Sequence, residues 1–224
     1  MGCLSGGSAD DKDVSGKIRD KRKQIRAAIA KAKEALNSGK LDSAQKANLE
    51  RALNAYGAEG TDNGVTLAVG TVTKDAEADT KFGSPQITHD QTTGALRPNI
   101  IVTFKEGGTV DAEQFAHEGS HVADRTELFT AFVKASSGDP SADWIDMPEN
   151  LKTRITESRA YRVSAAVAQG LNQSSLNKGG YEIWNSGWSQ ADRSANMQRG
   201  IKELLTKSPV YKDKLNRRMI ERKK

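Results

Sequence analysis

The chain carries three histidines, and two of them stand in one short run, His117-Glu118-Gly119-Ser120-His121. On a helix, residues four apart lie on one face, one turn from each other. Two imidazoles so placed can grip one Zn²⁺, with the intervening glutamate beside the ion. Zn²⁺ lowers the pKa of a water it binds from about 15.7 towards roughly 7, and a neighbouring carboxylate can then take the proton. The run therefore implies hydrolytic metal chemistry, with His117 and His121 as ligands and Glu118 as general base. The plain alternative is a solvated helical face that happens to carry these residues.

The surrounding elements favour the first reading. Thr109, followed by Asp111 and Glu113, reads as an N-cap with acids in the first helical turn. The pattern then runs without proline through Phe115, Val122, Leu128, Phe129, Phe132 and Val133. Upstream, residues 99–104 form a short apolar, β-rich run that reads as a strand, and Lys105-Glu106-Gly107-Gly108 supplies the turn into the helix. Gly119 inside a helix costs up to about 1 kcal/mol, which suits a place where backbone or substrate approaches closely.

A zinc site needs a third protein ligand and an open position. His89, in a polar stretch, is one candidate, and Asp124 another, although a carboxylate there suits an imidazole N–H better than the ion. Glu157 is the best placed. Asp146-Met147-Pro148-Glu149 reads as a helix start with proline in the first turn. From there Leu151, Ile155, Val163, Val167 and Leu171 mark an apolar face, and Gly170 or the Asn172 region ends the helix. Glu157 falls on another face with Arg154, Ala160, Tyr161, Ser164 and Ala168, small and polar residues of the sort that line a cleft. A surface carboxylate paired with Arg154 or Arg162 is the alternative.

With Thr156-Glu157-Ser158-Arg159-Ala160-Tyr161, the HExxH run resembles the gluzincin branch of the zincin metallopeptidases. There, two histidines of one helix and a glutamate of a later one bind zinc. By that resemblance His117, His121 and Glu157 are the metal ligands and Glu118 the general base. Tyr161, or Arg159 if it turns inward, would stabilise the oxyanion. The resemblance spans roughly residues 99–171. The interval from His121 to Glu157 is longer than in the thermolysin-like group, and the His-x-x-Gly-x-x-His extension of the metzincins is absent.

The rest of the chain sets the frame. At 224 residues, with 36% hydrophobic and 5% aromatic content, it holds one modest, helix-rich core plus an appendage. Its one cysteine, Cys3, leaves no internal disulfide to form. No stretch is long and apolar enough to span a bilayer, and no apolar segment of a secretory signal follows the start. Met1-Gly2-Cys3 suggests acylation, but Gly6 stands where a myristoylation site takes Ser or Thr. Residues 1–16 read as a disordered tail, 17–60 as a helical hairpin and 61–224 as the catalytic domain. In the hairpin, Gly39 closes the first helix, and Asp42 with Gln45 opens the second as a capping box. Lys21, Arg22, Lys23 and Arg26 give it a basic face.

Residues 65–72 alternate as a half-buried strand, giving a small sheet beside the HExxH helix. Zincin-like enzymes use such a sheet edge to hold an extended peptide. The linker 73–98 reads as a long irregular loop, a flap or a poorly ordered segment. Tyr181, Trp184 and Trp188 read as the core of a short helix, or else as a cleft lining; Ile201, Leu204 and Leu205 mark another helix, and 217–224 a basic tail.

The expected fold is thus α+β: mostly helical and zincin-like, with a small sheet beside the HExxH helix and an N-terminal helical hairpin. Net charge is +5 and the isoelectric point about 9.2, with basic residues spread and aromatics few, so nothing marks a nucleic-acid groove. A cysteine-poor, basic HExxH domain behind a helical hairpin also resembles the zincin-type toxin domains of bacterial polymorphic toxins and secreted effectors. That resemblance implies delivery by a dedicated secretion machine without a signal peptide, and a cognate immunity protein covering the cleft; a cytoplasmic location is the alternative. The expectation is a Zn²⁺ metallopeptidase acting on a protein or peptide substrate. A peptidoglycan amidase or endopeptidase using the same site, and a binding module without activity, are the alternatives.

Overall fold

In the computed structural model, residues 11–58, 62–72, 76–90, 92–138, 153–176 and 182–207 are described. The elements run α1 (Asp11–Leu36), α2 (Ser43–Asn54), β1 (Val65–Gly70), β2 (Ala78–His89), β3 (Leu96–Lys105), α3 (Ala112–Ser136), α4 (Thr153–Leu171), β4 (Ser175–Leu176), β5 (Glu182–Trp184) and α5 (Arg193–Lys207). The fold is α+β, as the sequence leads one to expect. Among the described residues no helix is long and apolar enough to cross a membrane.

Strand β3 is the spine of the sheet, whose order is β1-β3-β2. It pairs in parallel with β1, from Val65 opposite Ile100 to Gly70 opposite Lys105. It pairs antiparallel with β2, which places Thr80 opposite Val102 and Phe82 opposite Ile100. Along β3 the side chains at Ile100, Val102 and Phe104 are fully buried while Asn99, Ile101 and Thr103 are only partly so, the period of two that a one-sided sheet requires. That face packs on Ile25 and Ala28 of α1 and on Phe115 and Val122 of α3. The Phe104 and Phe115 rings stack with centroids 6.4 Å apart.

Strand β2 corrects the expectation of an irregular linker over 73–98. The stretch carries little apolar signal because its positions packed towards the core are Ala78, Thr80 and Phe82. Thr80, the buried polar one, turns out to face the candidate site. A register shift between Phe82 and Ile87 further breaks the alternation. A second correction concerns the aromatic segment. Trp184 lies on strand β5 rather than in a short helix, with its ring buried against Ala165 and Ala168 of α4. Tyr181 lies outside the described residues.

Smaller differences follow local chemistry. Helix α3 is capped by Asp111 instead of Thr109, its carboxylate accepting from the Gln114 N–H at 2.8 Å. The Asp42–Gln45 capping box of α2 is present, and Gly39 takes the left-handed conformation, φ +72°, beyond α1. Helix α1 begins at Asp11, inside the stretch read as a tail, and β1 ends at Gly70. The expected start of α4 at 146–149 and the basic tail 217–224 lie outside the described residues. On α4, Val163 and Val167 are buried as the apolar face requires, but Ile155 is 38% exposed.

The two N-terminal helices share a core with the rest of the chain. Ala32 and Ala35 of α1 and Leu49 and Ala52 of α2 pack with Ala112 and Ala116 of α3 and Val163 and Val167 of α4. Lys21 of α1 donates to the carbonyls of Lys105 and Gly108, pinning the turn that leads into α3. Alanine at these seams lets helices approach closely, and Gly119 lets α3 and α2 come closer still. A Cβ at Gly119 would stand 2.5 Å from the Ala52 carbonyl oxygen and 2.8 Å from the Tyr56 ring. Gly119 thus admits the α2 backbone rather than substrate. Gly119→Ala should gain the helix preference of alanine but force α2 away. The net expected loss is about 2 kcal/mol, seen as a melting temperature lower by roughly 4–8 °C.

Candidate metal centre

Helix α3 presents His117 and His121 on one face, and α4 crosses against it with Glu157 turned towards both. The Glu157 Oε2 stands 3.4 Å from His117 Nε2 and 3.7 Å from His121 Nε2. The two imidazole rings meet edge to face with centroids 5.0 Å apart. Ligands of a tetrahedral ion with bonds of about 2.0–2.1 Å stand about 3.3–3.4 Å from one another. The spacing of these donors is therefore close to what such an ion demands. Their donor atoms lie within 4.8 Å of one another, and among the described residues they form the group of His, Cys, Asp and Glu side chains able to hold an ion.

Electrostatics point the same way. Burial alone would raise the Glu157 carboxyl, but the hydrogen bonds and positive fields of His117 and His121 outweigh it and hold the group well below the usual carboxylate range. For His121, burial opposes charge, yet the hydrogen bond and charge of Glu157, helped by Glu118, raise its pKa against a counteracting Arg125. An ionised, buried carboxylate facing two imidazoles attracts a cation, whether a proton or a metal.

Glu118 lies next in sequence to His117 and is 6% exposed. Its Oε2 accepts a hydrogen bond from Thr80 Oγ1 at 2.6 Å, across from strand β2. Tyr161, one turn beyond Glu157, sets its ring against His117 with centroids 4.6 Å apart, and also packs against the Ile183–Ile201–Leu204–Leu205 cluster. The structure thus brings together all five residues singled out from the sequence: His117, Glu118, His121, Glu157 and Tyr161.

No family model, curated protein or solved structure matches this chain. The resemblance to the gluzincins therefore rests on the residues themselves.

The remaining candidates fall away from the ion. His89, at the end of β2, is exposed, with Nδ1 3.3 Å from the Gly94 carbonyl oxygen. It stands nine residues along the strand from Thr80, roughly 25–30 Å at the usual rise per residue. Asp124 is buried, but Arg51 and Arg159 donate to its Oδ1 at 2.7 and 2.8 Å. Its expected pairing with an imidazole gives way to an ion-paired junction of α2, α3 and α4, because two guanidinium groups offer a buried carboxylate more than one ring N–H does. The same junction engages Arg159, which sequence reasoning offered as an oxyanion donor. Arg162 is exposed while Glu157 is buried and turned inward, and the Arg154 side chain lies outside the described residues.

Two residues near the site escape the sequence reading. Arg125, one turn past His121, donates from Nη1 to the His121 carbonyl at 3.3 Å. Burial lowers its pKa, opposed by the charges of Glu118, Asp79, Asp124 and Glu157. The four-residue spacing that pairs His117 with His121 extends to Arg125 and could have found it. Thr80 offers no such signal.

One turn before His117, Glu113 carries a buried carboxyl that burial pushes up to about 7, against lowering hydrogen bonds from Ser175 and Gln173. Its ordinary value is 4.5. Between these values the folded chain holds a proton that the unfolded chain has released. The group's stabilising contribution is thus full below about pH 4.5 and is lost as the pH rises through about 7, by at most about 3 kcal/mol. Glu113→Gln copies the protonated form. Denaturant midpoints from pH 5 to 8 should fall with pH more steeply in the wild type than in the variant; parallel curves would contradict the assignment.

Proposed function

We propose that this protein is a zinc-dependent metallohydrolase that cleaves peptide bonds in protein or peptide substrates. The observation that carries the reading is the convergence of His117, His121 and Glu157 from two helices at ligand spacing, with a held carboxylate, Glu118, beside them. His117, His121 and Glu157 would hold the ion. When bound, Zn²⁺ supplies a Lewis acid and lowers the pKa of water.

The chain's own groups would do the rest. Glu118 takes the proton of the attacking water and delivers it to the leaving nitrogen as the C–N bond breaks. Tyr161, placed against His117, is the group we assign to the developing oxyanion, where a donor strengthens its bond as negative charge grows. Ion-paired Asp124 holds α3 and α4 in register, so that the imidazoles and Glu157 keep their spacing. We further propose the setting suggested by the toxin-like resemblance: delivery to a target cell as an effector or toxin domain, with an immunity protein as its natural inhibitor.

The test is the zinc content of the purified full chain, together with cleavage of fluorescein-labelled casein before and after treatment with a chelator. One zinc per chain and chelator-sensitive cleavage restored by added zinc are expected. A chain that takes up no zinc would overturn the reading.

A further inference from the structure

Glu118 has a partner that the HExxH spacing does not supply. Thr80 is 4% exposed, and its hydroxyl has the Glu118 carboxylate as hydrogen-bond acceptor at 2.6 Å. A hydroxyl donating to a carboxylate makes a charge-assisted bond, stronger than one between neutral groups. The donor is rigidly mounted. Thr80 pairs with Val102 in the middle of the β2–β3 ladder, and a β-branched side chain on a strand has little freedom about its first torsion. Strand β2 bears directly on α3.

We infer that Thr80 is a positioning residue for the general base, an inference that rests on the zinc-hydrolase reading. With Oε2 held by the Thr80 hydroxyl, the Glu118 carboxylate cannot swing about its terminal torsion, and Oε1 is left as the oxygen aimed to accept a proton. A general base works only within hydrogen-bond reach of the proton it takes, and small misplacements are costly. The sheet thereby contributes to the chemistry through one hydroxyl, and the polarity that disguises β2 as a loop has a purpose.

The test uses the full chain, zinc-loaded, as wild type, Thr80→Val and Thr80→Ser. Valine keeps the shape and the strand preference but removes the donor; serine restores it. Three quantities are read: the zinc dissociation constant by competition with a chelator, kcat and KM on labelled casein, and the affinity for acetohydroxamic acid by calorimetry. The last probe binds a metal as its anion and must hand its proton to a neighbouring base, so it reports on Glu118 without turnover. Zinc affinity is expected to stay within about threefold in all three proteins. Thr80→Val should lose about 10–100-fold in kcat with KM nearly unchanged, and bind the hydroxamate about tenfold more weakly. Thr80→Ser should recover most of both.

A valine variant that matches the wild type in turnover and in hydroxamate affinity overturns the inference, as does one whose zinc affinity falls in parallel, which makes Thr80 a packing residue. Should the wild type bind zinc yet leave casein intact, the hydroxamate comparison decides alone. A wild type that binds no zinc ends the zinc-hydrolase reading and this inference together, whereas zinc-loaded wild type with an unaffected valine variant ends only this one.

Discussion

Glu118→Gln is expected to keep one zinc per chain and to lower kcat by about 10³-fold, in the middle of the range for removal of a general acid–base group. The substitution is nearly isosteric. Its amide oxygen can still accept the Thr80 hydroxyl, so the side chain stays where it is, while an –NH₂ replaces the oxygen that would receive a proton. Basicity is lost and shape is kept. Neither His117 nor His121 depends on Glu118 for its contact with Glu157, so the metal donors are left as they are. The measurement is zinc by mass spectrometry and casein turnover on the same preparations. Equal turnover in both proteins would remove Glu118 from the chemistry and favour a binding module without activity. Loss of zinc along with turnover would instead make Glu118 part of the metal's support.

The parts of this site that are legible in the sequence are those fixed by local periodicity. His117 and His121 share a face because four residues make about one turn, and Glu157 stands out because its face of α4 is lined by Ala160, Ser164 and Ala168, all buried. What brings the two helices together is not legible. Each is seated on a different N-terminal helix, Gly119 of α3 against Ala52 of α2 and Gly170 of α4 against Ala35 of α1, where a missing Cβ lets one backbone meet another. Such contacts involve residues far apart in the chain and carry no pattern of their own. Thr80 is hidden for a related reason: it lies 38 residues from Glu118, in a strand whose alternation is broken by the polar residue that matters. Asp124 misleads in the opposite direction. Its place one turn from His121 suggests an imidazole partner, but Arg51, 73 residues earlier, arrives across the α2–α3 seam and claims it.

Glu157→Ala is expected to weaken zinc binding by more than about 100-fold, exceeding the 10–100-fold that loss of a group supporting a ligand typically costs. Two terms act together. One donor oxygen disappears, and with it the negative charge that a dication meets in a buried site, where neighbouring charges are weakly screened. Two imidazoles on a single helical turn remain, too few to close a tetrahedral site. The effect can be read without any substrate. A ligand that binds only the folded chain raises its stability in proportion to the logarithm of its concentration over its dissociation constant, so 100-fold weaker binding removes about 2.7 kcal/mol of zinc-dependent stabilisation. Melting curves with and without zinc should therefore separate widely for the wild type and nearly coincide for the variant. Without zinc the variant is expected to be the weaker of the two, since the interactions with His117 and His121 that hold the Glu157 carboxyl low also stabilise the folded chain. The difference between the two zinc responses, rather than either melting temperature, is what tests the ligand. A variant that keeps the full zinc response would return the third ligand to an open question. His89 could not answer it, exposed at the far end of β2, nor could Asp124, already engaged by two arginines.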